Sequence, residues 1–279
     1  MKESIVLVTG ANSGFGMGIT LELANKGYKV IATMRSTEKQ EQLRIEANDR
    51  LIPKGRIDVQ RLDVTNQDEI DTIYNYILNT YGTLDILINN AGYTQGGVIE
   101  EIDGLQWEEQ FKTNVFGVVS LTKSFIPVMR KNRSGKIINL GSISGRIGLP
   151  GLGPYAASKF ALEGFSESLR LELQPFNVYT SLIEAGSFKT GIWKKGLEKA
   201  PLSRVPDYKD LMNSLNNHVK KMDKQAQNPQ IVMDTVIKIC ETSRPHLRYP
   251  VGKGVKAITF LKSFLPWAIV ERIVLRMMK

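Results

Sequence analysis

A chain of 279 residues, 42% hydrophobic and 23% charged, is long enough to bury a substantial core and too ordinary in composition for a disordered or fibrous protein. Cys240 is the only cysteine, which excludes an intramolecular disulfide and a multi-cysteine metal site and points to a reducing cytoplasm. The net charge of +9 is uneven, with 18 basic against 7 acidic side chains from Lys189 to Lys279, yet that segment holds no nucleic-acid reading module and His218 and His246 lack cysteine partners, so neither nucleic acid nor metal is expected.

The first residues lead directly into Ile5-Val6-Leu7-Val8-Thr9, an apolar run too short for a leader core or a membrane span but right for a strand buried on both faces. A glycine-rich turn follows, then a helix carrying Ile19, Leu21, Leu23 and Ala24 that Gly27 stops, then a strand at Tyr28 to Thr33. The turn, Thr9-Gly10-Ala11-Asn12-Ser13-Gly14-Phe15-Gly16, sits where a dinucleotide pyrophosphate meets backbone N–H groups and the helix dipole. Its glycines leave room for that approach. After the second strand, Thr33-Met34-Arg35-Ser36 has no acid for a ribose 2′-hydroxyl, and Arg35 suits a 2′-phosphate, which favours NADP(H) over NAD(H).

The alternation continues with a helix near Glu38 to Glu46, a strand at Ile57 to Leu62, a helix at Asp68 to Tyr81 and a strand at Leu84 to Ile88. One long helix is expected near Trp107 to Met129, then a strand at Lys136 to Leu140, a helix at Tyr155 to Leu173 and a strand at Val178 to Ile183. From Thr190 to Gln227 the rhythm lapses into a basic, irregular stretch with Pro201, Pro206, Trp193, Leu197, Leu211 and Met212, read as a substrate lid. A helix at Ile231 to Cys240 and a short strand at Leu247 to Tyr249 resume it. These elements predict an α/β fold, a single Rossmann-type doubly wound parallel sheet of about seven strands with helices on both faces. One domain spans 1–254, and 255–279 is an appendage in which Pro266 opens an amphipathic helix with Val270, Ile273, Val274 and Met277 on its apolar side. That helix either packs on protein or lies on acidic lipid with Phe264 and Trp267 as anchors.

Tyr155 and Lys159 stand four apart at the start of a predicted helix, so they share a face. A nearby ammonium stabilises phenolate, which lets a tyrosine shuttle protons. Ser142 emerges from the strand Ile137 to Leu140 at the edge where open α/β sheets bind ligands, and its hydroxyl can donate to a substrate carbonyl.

In this order the motifs resemble those of the short-chain dehydrogenase/reductase family, over almost the whole chain. The resemblance also rests on Asn89-Asn90-Ala91-Gly92, Asp63 in Leu62-Asp63-Val64-Thr65, and Asn114 in Thr113-Asn114-Val115-Phe116-Gly117. It implies that Tyr155 gives or takes the substrate proton, that Lys159 holds the nicotinamide ribose and lowers the tyrosine pKa, that Ser142 orients the carbonyl and that Asn114 supports a water-linked relay. Asp63 and Val64 would face adenine, and Asn89, Ala91 and Gly92 would line the cofactor cleft. Glu184-Ala185-Gly186-Ser187-Phe188-Lys189-Thr190 departs from the family in having alanine where proline is usual, while Gly186 and Thr190 remain to hold the carboxamide. The resemblance is nearest to members acting on retinoid, steroid or long-chain acyl-type compounds, so a bulky hydrophobic carbonyl or alcohol is the expected substrate and a homodimer or homotetramer the expected assembly. A non-catalytic NADP(H)-binding redox sensor is the alternative; such a protein would be expected to lose the tyrosine or the lysine, and this chain keeps both.

Overall fold

The structure is a computed structural model and describes residues 3–190, 196 and 205–277. Strand β1 (Ile5–Val8) is buried throughout. Ile5 and Leu7 enter one apolar layer and Val6 and Val8 the other, because successive strand side chains point to opposite faces. The same split recurs in β4 (Ile86–Asn89), with Leu87 opposed to Ile86 and Ile88, and in β5 (Gly135–Leu140), with Ile137 opposed to Ile138 and Leu140.

With β2 (Lys29–Met34), β3 (Ile57–Arg61), β6 (Val178–Ala185) and β7 (Arg248–Val251), these strands pair in the order β3-β2-β1-β4-β5-β6-β7. Every pairing is parallel. The order reverses between β1 and β4, and the crevice outside the carboxyl ends of those two strands is where such a sheet takes its ligand. Helices α1 (Gly14–Asn25), α2 (Glu41–Asp49) and α8 (Gln230–Glu241) contribute to the Val6/Val8 layer. Helices α3 (Gln67–Tyr81), α5 (Gly117–Asn132) and α6 (Gly153–Leu173) contribute to the opposite one. Local signals set their ends: Asn66 caps α3 by accepting from the Asp68 and Glu69 N–H groups, and Gly82 closes it in the left-handed conformation at φ 73°.

Three features differ from the expectation. The long helix is interrupted: α4 (Gly104–Phe111) and α5 are joined by a π turn at Lys112–Phe116. A π turn holds one residue more than an α turn, and no apolar periodicity announces it. The stretch read as an irregular lid contains α7 (Lys209–Gln225), whose Leu215 is buried against the loop after β5, so that a Cβ on Gly151 would come within 2.5 Å of it. Few of its residues are apolar, which hid their helical spacing. Trp193 and Leu197 lie outside the described residues. The carboxyl-terminal segment forms two helices rather than one, α9 (Val255–Phe264) and α10 (Trp267–Met277).

Candidate active site

The turn after β1 is shaped by close packing. Gly10 and Gly14 hold φ of 66° and 56°, a region that favours glycine. A Cβ on Gly16 would collide with the Gly10 carbonyl and the Asn90 carboxamide. Asn90 clamps this turn from β4: its Nδ2 donates to the Thr9 and Gly10 carbonyls at 2.8 and 3.1 Å. Thr9 Oγ1 in return accepts the Asn90 and Ala91 N–H groups, each at 2.9 Å. Asn12, Ser13, Gly14 and Phe15 line the turn partly exposed, and α1 begins there with no acid in its first turn and no side-chain cap. Its first N–H groups therefore face the crevice beside a positive dipole end, a cradle that fits a pyrophosphate.

Across the crevice, Thr190 packs against Gly14, where a Cβ would lie 3.5 Å from the Thr190 Cβ. Gly186 donates its N–H to the Val251 carbonyl at 2.9 Å, and Phe188 meets Phe15 edge to face at 5.6 Å between ring centroids. The turn after β6 thus closes on the turn after β1 despite the alanine at position 185.

Ser142 follows β5, and Tyr155 and Lys159 rise from the first turns of α6; all three side chains are buried. The Tyr155 hydroxyl interacts with the side chains of Ser142 and Thr94, both of which pull its pKa down. Burial wins over them, and the phenol titrates above its ordinary value. Lys159 stands with its ammonium 5.7 Å from the Tyr155 ring centroid and donates to the Leu140 carbonyl at 2.7 Å. Burial lowers its pKa to about 8. Desolvation acts on both groups and disfavours the charged form of each, so the phenol is held up and the ammonium down.

Asn114, in the π turn, is held by three hydrogen bonds of its carboxamide. Oδ1 accepts the Tyr93 N–H at 3.1 Å, and Nδ2 donates to the Tyr93 carbonyl at 3.0 Å and to Ser158 Oγ at 3.2 Å. One turn earlier Gln110 donates to the same Tyr93 carbonyl at 2.9 Å and accepts the Gln95 N–H at 2.7 Å. Two carboxamides therefore bracket Thr94, which is 2% exposed beside the Tyr155 hydroxyl.

The remaining candidates sit farther from this pair. Arg35 is exposed just past β2 and forms no ion pair among the described residues. Asp63, just past β3, accepts from the N–H and hydroxyl of Thr65 at 2.9 and 2.8 Å. Val64 is buried against Gly117, where a Cβ would come within 2.7 Å of it. Ala91 and Gly92 border the crevice next to the Thr9 clamp and Asn114. Asn89 turns away from it: its Nδ2 donates to Thr122 Oγ1 at 3.1 Å and Asn139 Oδ1 at 2.9 Å within the sheet–helix layer. Sequence reasoning singled out neither Thr9, Asn90, Thr94 nor Gln110 as a site residue. The positions of Thr9 at the head of the glycine turn and of Asn90 inside the Asn-Asn-Ala-Gly motif were the signals available; Thr94 and Gln110 had none.

A family model described as short chain dehydrogenase matches residues 4–200. The chain is 42% identical over 276 residues to an uncharacterized oxidoreductase, YusZ, of Bacillus subtilis (strain 168), covering 98% of both chains. It is 34% identical over 267 residues to a 3-ketodihydrosphingosine reductase of Bacteroides thetaiotaomicron, covering 95% of this chain and 94% of that one. The crystal structure of a short-chain dehydrogenase from Streptomyces avermitilis superposes with a TM-score of 0.81 at 30% identity, covering 98% of each chain. Matched through most of its length by the family model and end to end by relatives that share its sheet, this chain belongs to the short-chain dehydrogenase/reductase family of NAD(P)-dependent oxidoreductases.

Proposed function

We propose that this enzyme transfers hydride between NADP(H) and a bulky apolar ketone or aldehyde, or its alcohol, with Tyr155 as the proton donor or acceptor. The observation that carries this reading is the buried Tyr155 hydroxyl beside Ser142, one helical turn from Lys159, at the edge of the sheet where the glycine cradle opens. When bound, the nicotinamide supplies or accepts the hydride. Ser142 Oγ accepts the Ser144 N–H at 3.1 Å, and its single proton, shared here with the Tyr155 hydroxyl, would turn to a substrate oxygen set between the two. Tyr155 delivers a proton to that oxygen as charge develops on it. Lys159 has three ammonium protons, of which Leu140 takes one; the others would serve the ribose hydroxyls of a bound cofactor. With both of its Nδ2 protons already given away, Asn114 could meet a relay water only as an acceptor, through Oδ1 or its backbone carbonyl.

Arg35 supports NADP(H) over NAD(H), since an exposed guanidinium without an ion pair among the described residues is free to meet a 2′-phosphate. Asp63 and Val64 would border the adenine. Bulk and apolarity of the substrate are supported by the name of the keto-reductase relative and by α7, whose Leu215 packs against Gly151 in the loop that leads from Ser142 to Tyr155 and whose Met212 is partly buried. Pairing of two copies through α5 and α6 is supported by Phe116, Phe160 and Leu171, exposed at or near those helices. The lone thiol, buried at Cys240, suits a reducing cytoplasm.

The test is Tyr155→Phe assayed with NADPH across ketones and aldehydes of increasing chain length. Turnover should fall by about 10²–10⁴ while NADPH binding, followed by fluorescence, persists. Undiminished turnover in the variant overturns the mechanism, and a wild type that binds NADPH tightly but reduces no carbonyl favours the sensor.

A further inference from the structure

Half of the exposed large hydrophobic side chains among the described residues fall within one stretch of 18 residues: Ile258, Phe260, Leu261, Phe264, Trp267, Ile269, Ile273 and Leu275. Phe260, Phe264 and Trp267 are 65%, 73% and 60% exposed, and the two phenyl rings lie 4.8 Å apart on one side of α9. From Gly254 to Arg276 only Val255, Val270 and Val274 are buried. A patch of this kind on a soluble surface is costly unless something covers it.

The charges around it are of one sign. Between Lys253 and Arg276 stand five basic side chains and one acid, Glu271. Lys262 is engaged, donating to the Arg146 carbonyl and lying over the Phe160 ring at 4.9 Å. The other four, Lys253, Lys256, Arg272 and Arg276, are exposed and form no ion pair among the described residues.

We propose that α9 and α10 dock this enzyme flat onto the surface of an anionic lipid bilayer. The aromatic rings enter the boundary between headgroups and acyl chains, and the four free cations meet lipid phosphates. An 11-residue helix such as α10 is about 16 Å long, roughly half a hydrocarbon core, so it lies on the membrane and does not cross it. No helix among the described residues is long and apolar enough to do so. A second copy fits less well, because a face pairing with itself brings the same cations together, whereas anionic headgroups satisfy them.

The docking face also adjoins the active site. Val255 packs against Gly186 in the turn after β6, and Lys262 holds the backbone of Arg146, four residues after Ser142. Docking does not depend on which carbonyl is reduced.

The full chain is floated with vesicles of phosphatidylcholine, alone or with phosphatidylglycerol. Wild type should partition onto the anionic vesicles and be released by high salt. The exposed triple variant Phe260→Ser, Phe264→Ser, Trp267→Ser should lose at least about tenfold in partitioning while its melting curve stays unchanged. Reversal of Lys253, Lys256, Arg272 and Arg276 to Glu should abolish the preference for phosphatidylglycerol. Equal partitioning of wild type and variants overturns the proposal. So does a wild type that ignores both vesicles and forms an assembly that the serine variant dissociates, since the occupant is then a second copy.

Discussion

Tyr155 is flanked by two hydroxyls, and only one of them was visible in sequence. Ser142 and Thr94 both interact with the phenol, but Thr94 reaches it from a loop 61 positions earlier in the chain, held by Gln110 and Asn114. Thr94→Val keeps the shape and removes the hydroxyl. Its kcat should fall about tenfold, less than the ~10²–10³ of a sole oxyanion donor because Ser142 remains, with KM for NADPH unchanged and with Thr94→Ser restoring the rate. Lys159 sets the alkaline limit. Its charge is complete well below a pKa of about 8 and is lost as pH rises through that value, while Tyr155 keeps its proton to higher pH. The rate of carbonyl reduction should therefore decline near pH 8, and a profile that stays flat into the ordinary phenol range would remove Lys159 charge from the mechanism.

Among the elements, the π turn and its neighbour α4 show how backbone irregularity serves the site. Gln110 is fully buried, and Gln110→Leu leaves the Gln95 N–H without its acceptor, a cost of about 1–3 kcal/mol. For a chain of this size each kcal/mol shifts Tm by about 2–4 °C, so a loss of several degrees is expected in a thermal melt. Helix α6 carries a buried acid, Glu163, between Arg146 and Arg248, with Glu184 of β6 close by. Burial and the Glu184 charge raise its pKa to about 7, above the ordinary carboxyl value. The folded protein then binds more protons than the unfolded chain between those two values, so Glu163 contributes stability below the ordinary carboxyl pKa that is lost as pH rises through about 7. Tm should fall over that interval in wild type and fall less in Glu163→Gln; identical slopes would show that Glu163 is not the titrating group.

For the molecule as a whole, the sheet order places the turns after β1, β4, β5 and β6 around one crevice, and the helices leave apolar side chains exposed on α6 and on the adjoining carboxyl-terminal segment, where Lys262 of α9 lies over the Phe160 ring. Phe160 and Leu171 on α6 belong to the face proposed to pair with another copy. Phe160→Glu with Leu171→Glu should shift the mass measured by light scattering toward the monomer, and an unchanged mass would place the assembly interface elsewhere. The carboxyl-terminal patch makes a different prediction, its dependence on lipid charge, so the two surfaces can be separated experimentally.

Much of this was legible before any coordinates, and the reason is physical. Alternating burial imposes a period of two on strands and near 3.6 on helices, so the strand–helix succession from Ile5 to Val251 is written locally, as are the glycine turn, whose backbone excludes a Cβ, and Tyr155 with Lys159 one helical turn apart. Contacts between distant segments leave no such period. The grip of Asn90 on Thr9 and Gly10, the bracket of Gln110 and Asn114 around Thr94, and the inward turn of Asn89 toward Thr122 join residues that only the packed sheet brings together. Nor did composition reveal α7 or the two-helix form of the carboxyl terminus, where the apolar residues are sparse or exposed and tertiary packing selects the few that are buried.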